Sequence, residues 1–247
     1  MKPVLQIHDL IKQYPAFTLG PVSLEIPEGS VTGLIGRNGA GKTTLIKSIL
    51  RIVRPDSGEI RFFGQEITAS EESIKQQIGY AGGAVQYYSR KKIRSILEVT
   101  KRFYPGWDDA ACRRYMDIFS LDENKTPGQL SEGMKVKLSI TIALSHGAKL
   151  LILDEPTSGL DPVSRDELLD ILSALSAQGI SILYSTHITS DLDKCADHIV
   201  YIRKGRPVAA DEKQSFLNAF REKGMGNNLE EIMISCEKED FREKLAR

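Results

Sequence analysis

The stretch SVTGLIGRNGAGKT, residues 30–43, constrains this chain more than any other. An apolar strand runs into a loop with glycines at 36, 39 and 41, and a helical pattern opens at Lys42. Glycine tolerates left-handed backbone and close approach to a ligand, so such a loop can wrap an anion with its N–H groups pointing inward. The helix behind it adds the positive end of its dipole. Strand, GxxxxGKT loop and helix in that order form the phosphate-binding P-loop pattern. Gly36, Asn38, Gly39, Ala40 and Gly41 build the loop. Lys42 is placed to reach β- and γ-phosphates, Thr43 to ligate Mg²⁺, and Thr44 to donate to a further phosphate oxygen. A glycine-rich turn with an incidental lysine is the bland alternative.

A second stretch, LLILDEPTSGLD at 150–161, begins as a buried strand and ends in charge. Asp154 and Glu155 stand side by side, and Pro156 stops the strand. Adjacent carboxylates at the rim of a core repel each other and resist desolvation, and a nearby cation resolves that conflict. Mg²⁺ carried with the nucleotide is such a cation. Asp154 is expected at the end of a strand neighbouring the P-loop strand, holding the ion through water. Glu155 is then free to polarise an attacking water as general base, or else it caps the following turn.

Lys plus Arg and Asp plus Glu balance at 33 each among 247 residues, which gives no overall basic field for nucleic acid. Cys112, Cys195 and Cys236 are scattered without metal or disulfide spacing, as in a reducing compartment. Charges interrupt the first fifteen residues, so they do not read as a signal peptide, and no apolar run reaches the roughly 18–20 residues of a spanning helix. These features read as a cytoplasmic protein whose membrane role, if any, needs a partner.

Along the chain, short strands are expected at 4–8, 22–26, 30–36 and 59–64, with one helix at 41–52. Residues 89–148 change to helical periodicity. Apolar strands then alternate with helices through HIVYI at 198–202, the pattern of a parallel sheet covered on both faces. The expected fold class is α/β: a P-loop NTPase core with a mostly parallel sheet, an antiparallel β subdomain on the N-terminal side and a helical insert. The expected organisation is an ATP-binding domain over 1–214, with the helical subdomain at about 89–148 inserted, and a helical tail over 215–247.

GRNGAGKT, LSEGM at 130–134, LLILDEP, SGLD at 158–161 and STH at 185–187 occur in this order. With them the chain resembles the ATP-binding subunit of ABC transporters from Val4 to about Ala210. The resemblance implies a head-to-tail dimer trapping two ATP molecules, each held by one subunit's P-loop and the other's LSEGM helix. Ser131 and Gly133 are then the contacts to the opposite γ-phosphate, and Asp161 crosses the interface. His187 orients the Glu155–water pair, and Tyr14 stacks on adenine. Catalysis would rest on Lys42, Glu155 and His187, and Mg²⁺ on Thr43, Asp154 and Gln86. The family carries its Mg²⁺-contacting glutamine where this chain reads Ala81-Gly82-Gly83; either the glycines let the loop bulge and Gln86 takes its place, or water completes the Mg²⁺ shell. Glu132 also departs from the family's glycine at that place, and its carboxylate would have to point away from a phosphate.

The resemblance further implies partners: a transmembrane transporter subunit, and a second ATP-binding subunit, most simply a second copy. It places the chain on the inner face of the cell membrane, and the wording of its motifs is most like exporters of antibiotics, peptides or drugs. Tyr87, Tyr88, Phe103, Tyr104 and Trp107 form either the docking groove for that partner or the small core of the insert. Two rival functions are a soluble ABC ATPase acting on nucleic acid or ribosomes, and a nucleotide-dependent regulatory subunit with little turnover. The first usually brings two cassettes or basic linkers. The second has no need of Glu155 and His187.

Overall fold

The computed structural model of the protein describes residues 2–82 and 89–245, the last of them (239–245) by backbone alone. Gln86, Tyr87 and Tyr88 lie outside the described residues. The chain opens with a long hairpin of β1 (Pro3–Tyr14) and β2 (Phe17–Pro27). β1 runs well past the expected 4–8 because Asp9 takes a left-handed φ of 46° and makes a bulge, with its N–H donating to Ser23 Oγ at 2.9 Å. A bulge adds one residue and twists the strand without ending it. Next come β3 (Val31–Ile35), α1 (Lys42–Ile49), β4 (Ser57–Phe62) and β5 (Gln65–Glu66). β2, β1, β4 and β5 pair in that order as an antiparallel sheet.

The short helix α2 (Glu71–Lys75) leads to β6 (Ile78–Gly82), followed by helices α3 (Ile93–Thr100), α4 (Asp109–Ile118) and α5 (Glu132–Ser145). β7 (Leu150–Asp154), α6 (Pro162–Ala177), β8 (Ser181–Thr186), α7 (Thr189–Cys195), β9 (His198–Arg203) and β10 (Arg206–Glu212) follow. The chain closes with α8 (Lys213–Glu222) and α9 (Leu229–Leu245). The second sheet has the order β10-β9-β3-β8-β7-β6, parallel throughout except for β10 at its edge. This is the expected mixed α/β architecture.

Every residue of β3, β7 and β8 is buried, as a central parallel sheet requires. One face, with Leu34, Ile152 and Leu183, packs against α1 and the antiparallel sheet. The other, with Ile35, Leu153 and Tyr184, is covered by apolar residues of α5 to α9. Leu229, Ile232 and Cys236 of α9 belong to that same core. No helix among the described residues is long and apolar enough to cross a membrane.

The strand order corrects one expectation. β7, which carries Asp154, does not lie beside the P-loop strand, because β8 sits between β3 and β7 and pairs with both. The three carboxyl ends therefore stand in a row, spaced by about 4.8 Å per strand. The P-loop leaves β3, His187 follows β8, and Glu155 follows β7.

Candidate nucleotide site

A cleft of about 380 Å³ opens at this row of strand ends, lined by Phe17, Arg37, Asn38, Gly39, Gly41, Lys42, Thr43, Thr44 and Glu155. Gly39 and Gly41 take φ of 81° and 110°, and Gly41 is the N-cap of α1. A side chain at Gly41 would also meet the Phe17 ring, since a Cβ there falls 2.9 Å from Cζ. Gly36 and Ala40 shape the loop from beneath: Ala40 N–H donates to Arg37 O at 3.0 Å, and Ala40 O accepts from Gly205 N–H at 2.8 Å.

Lys42 is 5% exposed, and its ammonium donates to Gly36 O at 2.6 Å. Its ionic partner is Glu155, with Nζ 3.1 Å from Oε1. The other carboxylate oxygen of Glu155, Oε2, lies 2.8 Å from His187 Nδ1. One carboxylate thus bridges the P-loop lysine and the histidine from the intervening strand. Its backbone is bent to do so: Glu155 has a left-handed φ of 55°, and its N–H makes a last ladder bond to Ser185 O at 2.9 Å. A non-glycine residue in that region stores of the order of 1 kcal/mol and tends to mark functional sites.

Asp154 is 6% exposed, and its Oδ1 is shut from solvent with no hydrogen-bond partner among the described residues. Ser185, its register neighbour on β8, has a buried and equally unpartnered hydroxyl. A buried carboxylate oxygen without a donor suits a cation. Thr43 lines the cleft; Asp154 is not among its lining residues and precedes Glu155 at the end of β7. The residues present fit Mg²⁺. Burial raises the pKa of the Tyr80 phenol, on the strand beside β7, and the negative charge of Asp154 raises it further.

Tyr14 does not line the cleft; Phe17, its register partner across the hairpin turn, does. The Tyr14 ring is 41% exposed and carries the Lys12 ammonium 5.7 Å from its centroid. Phe17 and Arg37 are the lining residues that the sequence reading missed. An aromatic three residues beyond Tyr14, across a Pro15 turn, was the available signal for the first.

Ser131, Gly133 and Asp161 lie outside this cleft and form a second group. Ser131 caps α5, accepting from Met134 N–H at 3.3 Å. Asp161 caps α6, accepting from Val163 and Ser164 N–H groups at 3.0 and 3.1 Å. The Ser164 hydroxyl and N–H lead in holding its carboxyl below the ordinary range. The start of α5 approaches the SGLD segment directly, since a Cβ on Gly133 would lie 3.4 Å from Leu160 Cδ2. Glu132 turns to Lys135, with the ammonium at 2.6 Å.

Two helix N-caps, Ser131 on α5 and Asp161 on α6, thus stand apart from the lysine-lined cleft. A model of the ABC transporter family matches residues 19–158. The chain belongs to the ABC transporter family. The bacitracin transport ATP-binding protein BcrA of Bacillus licheniformis is 32% identical to it over 210 residues, 83% of this chain and 69% of that one. The lantibiotic transport ATP-binding protein SrtF of Streptococcus pyogenes is 34% identical over 214 residues, 85% of this chain and 91% of that one. A solved structure of the ATP-binding subunit of an ABC transporter superposes with a TM-score of 0.82 at 30% identity, over 94% of this chain and 98% of that one. This ABC protein is an ATPase by its family.

Proposed function

We propose that this ABC ATPase is the motor of a membrane exporter, and that ATP binding and hydrolysis at Lys42, Glu155 and His187 drive it. The observation that carries the reading is the Glu155 carboxylate standing between the Lys42 ammonium and the His187 ring. In this reading the P-loop N–H groups and Lys42 hold the β- and γ-phosphates. Glu155 accepts a proton from the attacking water as its oxygen bonds to the γ-phosphorus. The bond from that phosphorus to the bridging oxygen breaks, and ADP leaves. His187 keeps the carboxylate aimed. Thr43 and Asp154 would hold Mg²⁺, with Gln86 as the third residue assigned to it, and the bound ion neutralises phosphate charge.

Ser131, Gly133 and Asp161 serve a second subunit in this scheme, which we take to be another copy of the chain packed head to tail. Closing that dimer on ATP and reopening it after hydrolysis would move transmembrane subunits between access states. The docking face for such a subunit is assigned to the helical region, where Phe103 is 70% and Val99 52% exposed. The relatives named for bacitracin and lantibiotic transport support antibiotics as the cargo class, and we take the chain to work on the cytoplasmic face of the membrane. No nucleic-acid partner belongs to this scheme.

The test is to express tagged Glu155→Gln in its own host and capture it with ATP and Mg²⁺ from solubilised membranes. Recovery of a multi-helix membrane protein is the expected result. Recovery of ribosomes or DNA without one would overturn the exporter reading.

A further inference from the structure

Asp191 takes no part in phosphate chemistry, yet it is fully buried and its carboxylate collects partners from three other elements. Its Oδ2 accepts from the Thr157 hydroxyl at 2.7 Å and from the Tyr184 hydroxyl, and those two hydroxyls are themselves 2.9 Å apart. Its Oδ1 accepts from the Arg165 guanidinium, which also donates to Ser190 Oγ at 2.7 Å. Thr157 is two residues past Glu155, and Asp191 is four residues past His187. Tyr184 belongs to β8, and Arg165 stands on α6 four residues past Asp161.

From this we infer that Asp191 is a positioning residue for the reaction: its carboxylate locks the chain beyond Glu155 to the chain beyond His187, and so fixes the carboxylate–imidazole pair. The inference rests on the catalytic assignment of Glu155 and His187 made above.

The argument is geometric. Glu155 occupies a left-handed backbone conformation, and such a residue holds only where its surroundings over-determine it. On its N-terminal side the Glu155 N–H is tied to Ser185 O. On its C-terminal side the first buried polar side chain after Pro156 is Thr157, whose hydroxyl ends on Asp191. His187 is exposed by more than a third, and α7 behind it is anchored through Asp191 to Arg165 and Tyr184. Without the Asp191 carboxylate, both arms of a 2.8 Å contact lose their common anchor. Catalytic geometry is sensitive to displacements of about 1 Å, which can cost of the order of a hundredfold in rate. Asp191, Thr157, Tyr184 and Arg165 do not line the cleft assigned to nucleotide, so binding should change far less than turnover.

Four full-length variants test this by ATP turnover and by NMR of the labelled histidine rings. Glu155→Gln controls the reading beneath: if it hydrolyses ATP at the native rate, the catalytic assignment fails whatever Asp191 does. With that variant inactive, Asp191→Asn is expected to lower kcat by roughly 10- to 100-fold with KM for ATP within about threefold, and to move the His187 ring signal. Because Asp191→Asn can also disturb folding, Thr157→Val and Thr157→Ser decide the matter. Valine keeps the shape and removes the hydroxyl, whereas serine keeps the hydroxyl and removes the methyl. We expect kcat to fall at least about tenfold in Thr157→Val, with the His187 signal displaced, and Thr157→Ser to recover most of both. Native kcat in Thr157→Val, or a loss in Thr157→Ser equal to that in valine, would show packing rather than positioning and overturn the inference.

Discussion

Replacing Glu155 by glutamine should move nucleotide affinity and turnover in opposite directions. Lys42 is nearly buried, and its only carboxylate partner within salt-bridge distance among the described residues is Glu155, 3.1 Å away. An entering triphosphate must take that ammonium from Glu155 and endure the carboxylate's own repulsion. Two unit charges at that separation interact by about 5 kcal/mol at an effective dielectric of 20. Glu155 is 22% exposed and shared with His187, so screening and desolvation reduce the competing term to about 1–2 kcal/mol. Glutamine keeps the shape and drops the charge, which should tighten ATP by roughly 5- to 30-fold at 1.4 kcal/mol per tenfold. The lost proton acceptor should lower turnover by about 10²–10⁴. Fluorescence anisotropy of a labelled ATP analogue reads the first quantity, and single-turnover phosphate release the second. Unchanged or weaker binding would refute the competition between Glu155 and phosphate for Lys42. Retained turnover would refute the role of Glu155 as base.

Gly79→Ala places a Cβ 2.3 Å from that of Ala143, where α5 rests on β6, and should cost about 1–3 kcal/mol by overpacking; an unmoved urea midpoint would count against that contact. Ile232→Ala empties a site 1% exposed on α9 and should destabilise the whole chain by about 2–5 kcal/mol, visible as one shifted thermal transition rather than a separate early one. His146 stacks on Tyr104 with ring centroids 4.0 Å apart and contacts Gln76 O through Nδ1 at 3.0 Å. Burial, the leading cause, lowers its pKa below 6.5. The unfolded chain therefore takes up the proton first, so this stability is present above about pH 6.5 and is lost as pH falls towards the lower folded value. His146→Gln should flatten the fall in urea midpoint between pH 7.5 and 5.5, and an unchanged slope would assign the acid sensitivity elsewhere.

LLILD was legible because four apolar residues run without alternation, and SVTGLI and ISILYST because both are free of charge and rich in β-branched residues, as strands of a sheet covered on both faces are. Their spatial order was not. Nothing in the composition of ISILYST says that it inserts between the P-loop strand and LLILD, since pairing partners are chosen by tertiary packing. The bulge at Asp9 was hidden for a related reason: it breaks the period of two while the strand continues. β6, with two glycines in five residues, and β10, an exposed edge strand with Pro207, lack the β-branched alternation that marks a strand. Phe17 stood within reach of notice, three residues past Tyr14 across Pro15, but that it and not Tyr14 faces the cleft is set by the hairpin register.

The inserted position of β8 also bears on why the motifs come in their observed order. Had LLILD paired directly with the P-loop strand, Glu155 would stand one strand spacing from the loop, and His187 would be left outside the pair. With β8 between them, His187 emerges next to both, and the ladder bond from Glu155 N–H to Ser185 O ties the carboxylate to the strand that carries the imidazole. A long side chain then has to span back to Lys42, and Glu155 does so from a left-handed backbone that an ordinary strand end would not supply. Aspartate in its place would be one methylene shorter, about 1.5 Å, and could not hold contacts of 3.1 Å and 2.8 Å on opposite sides at once. Glu155→Asp should therefore keep the charge and still lose turnover, which separates reach from charge in a way that glutamine alone cannot. Native single-turnover rates in that variant would show that the carboxylate works from a position other than this bridge.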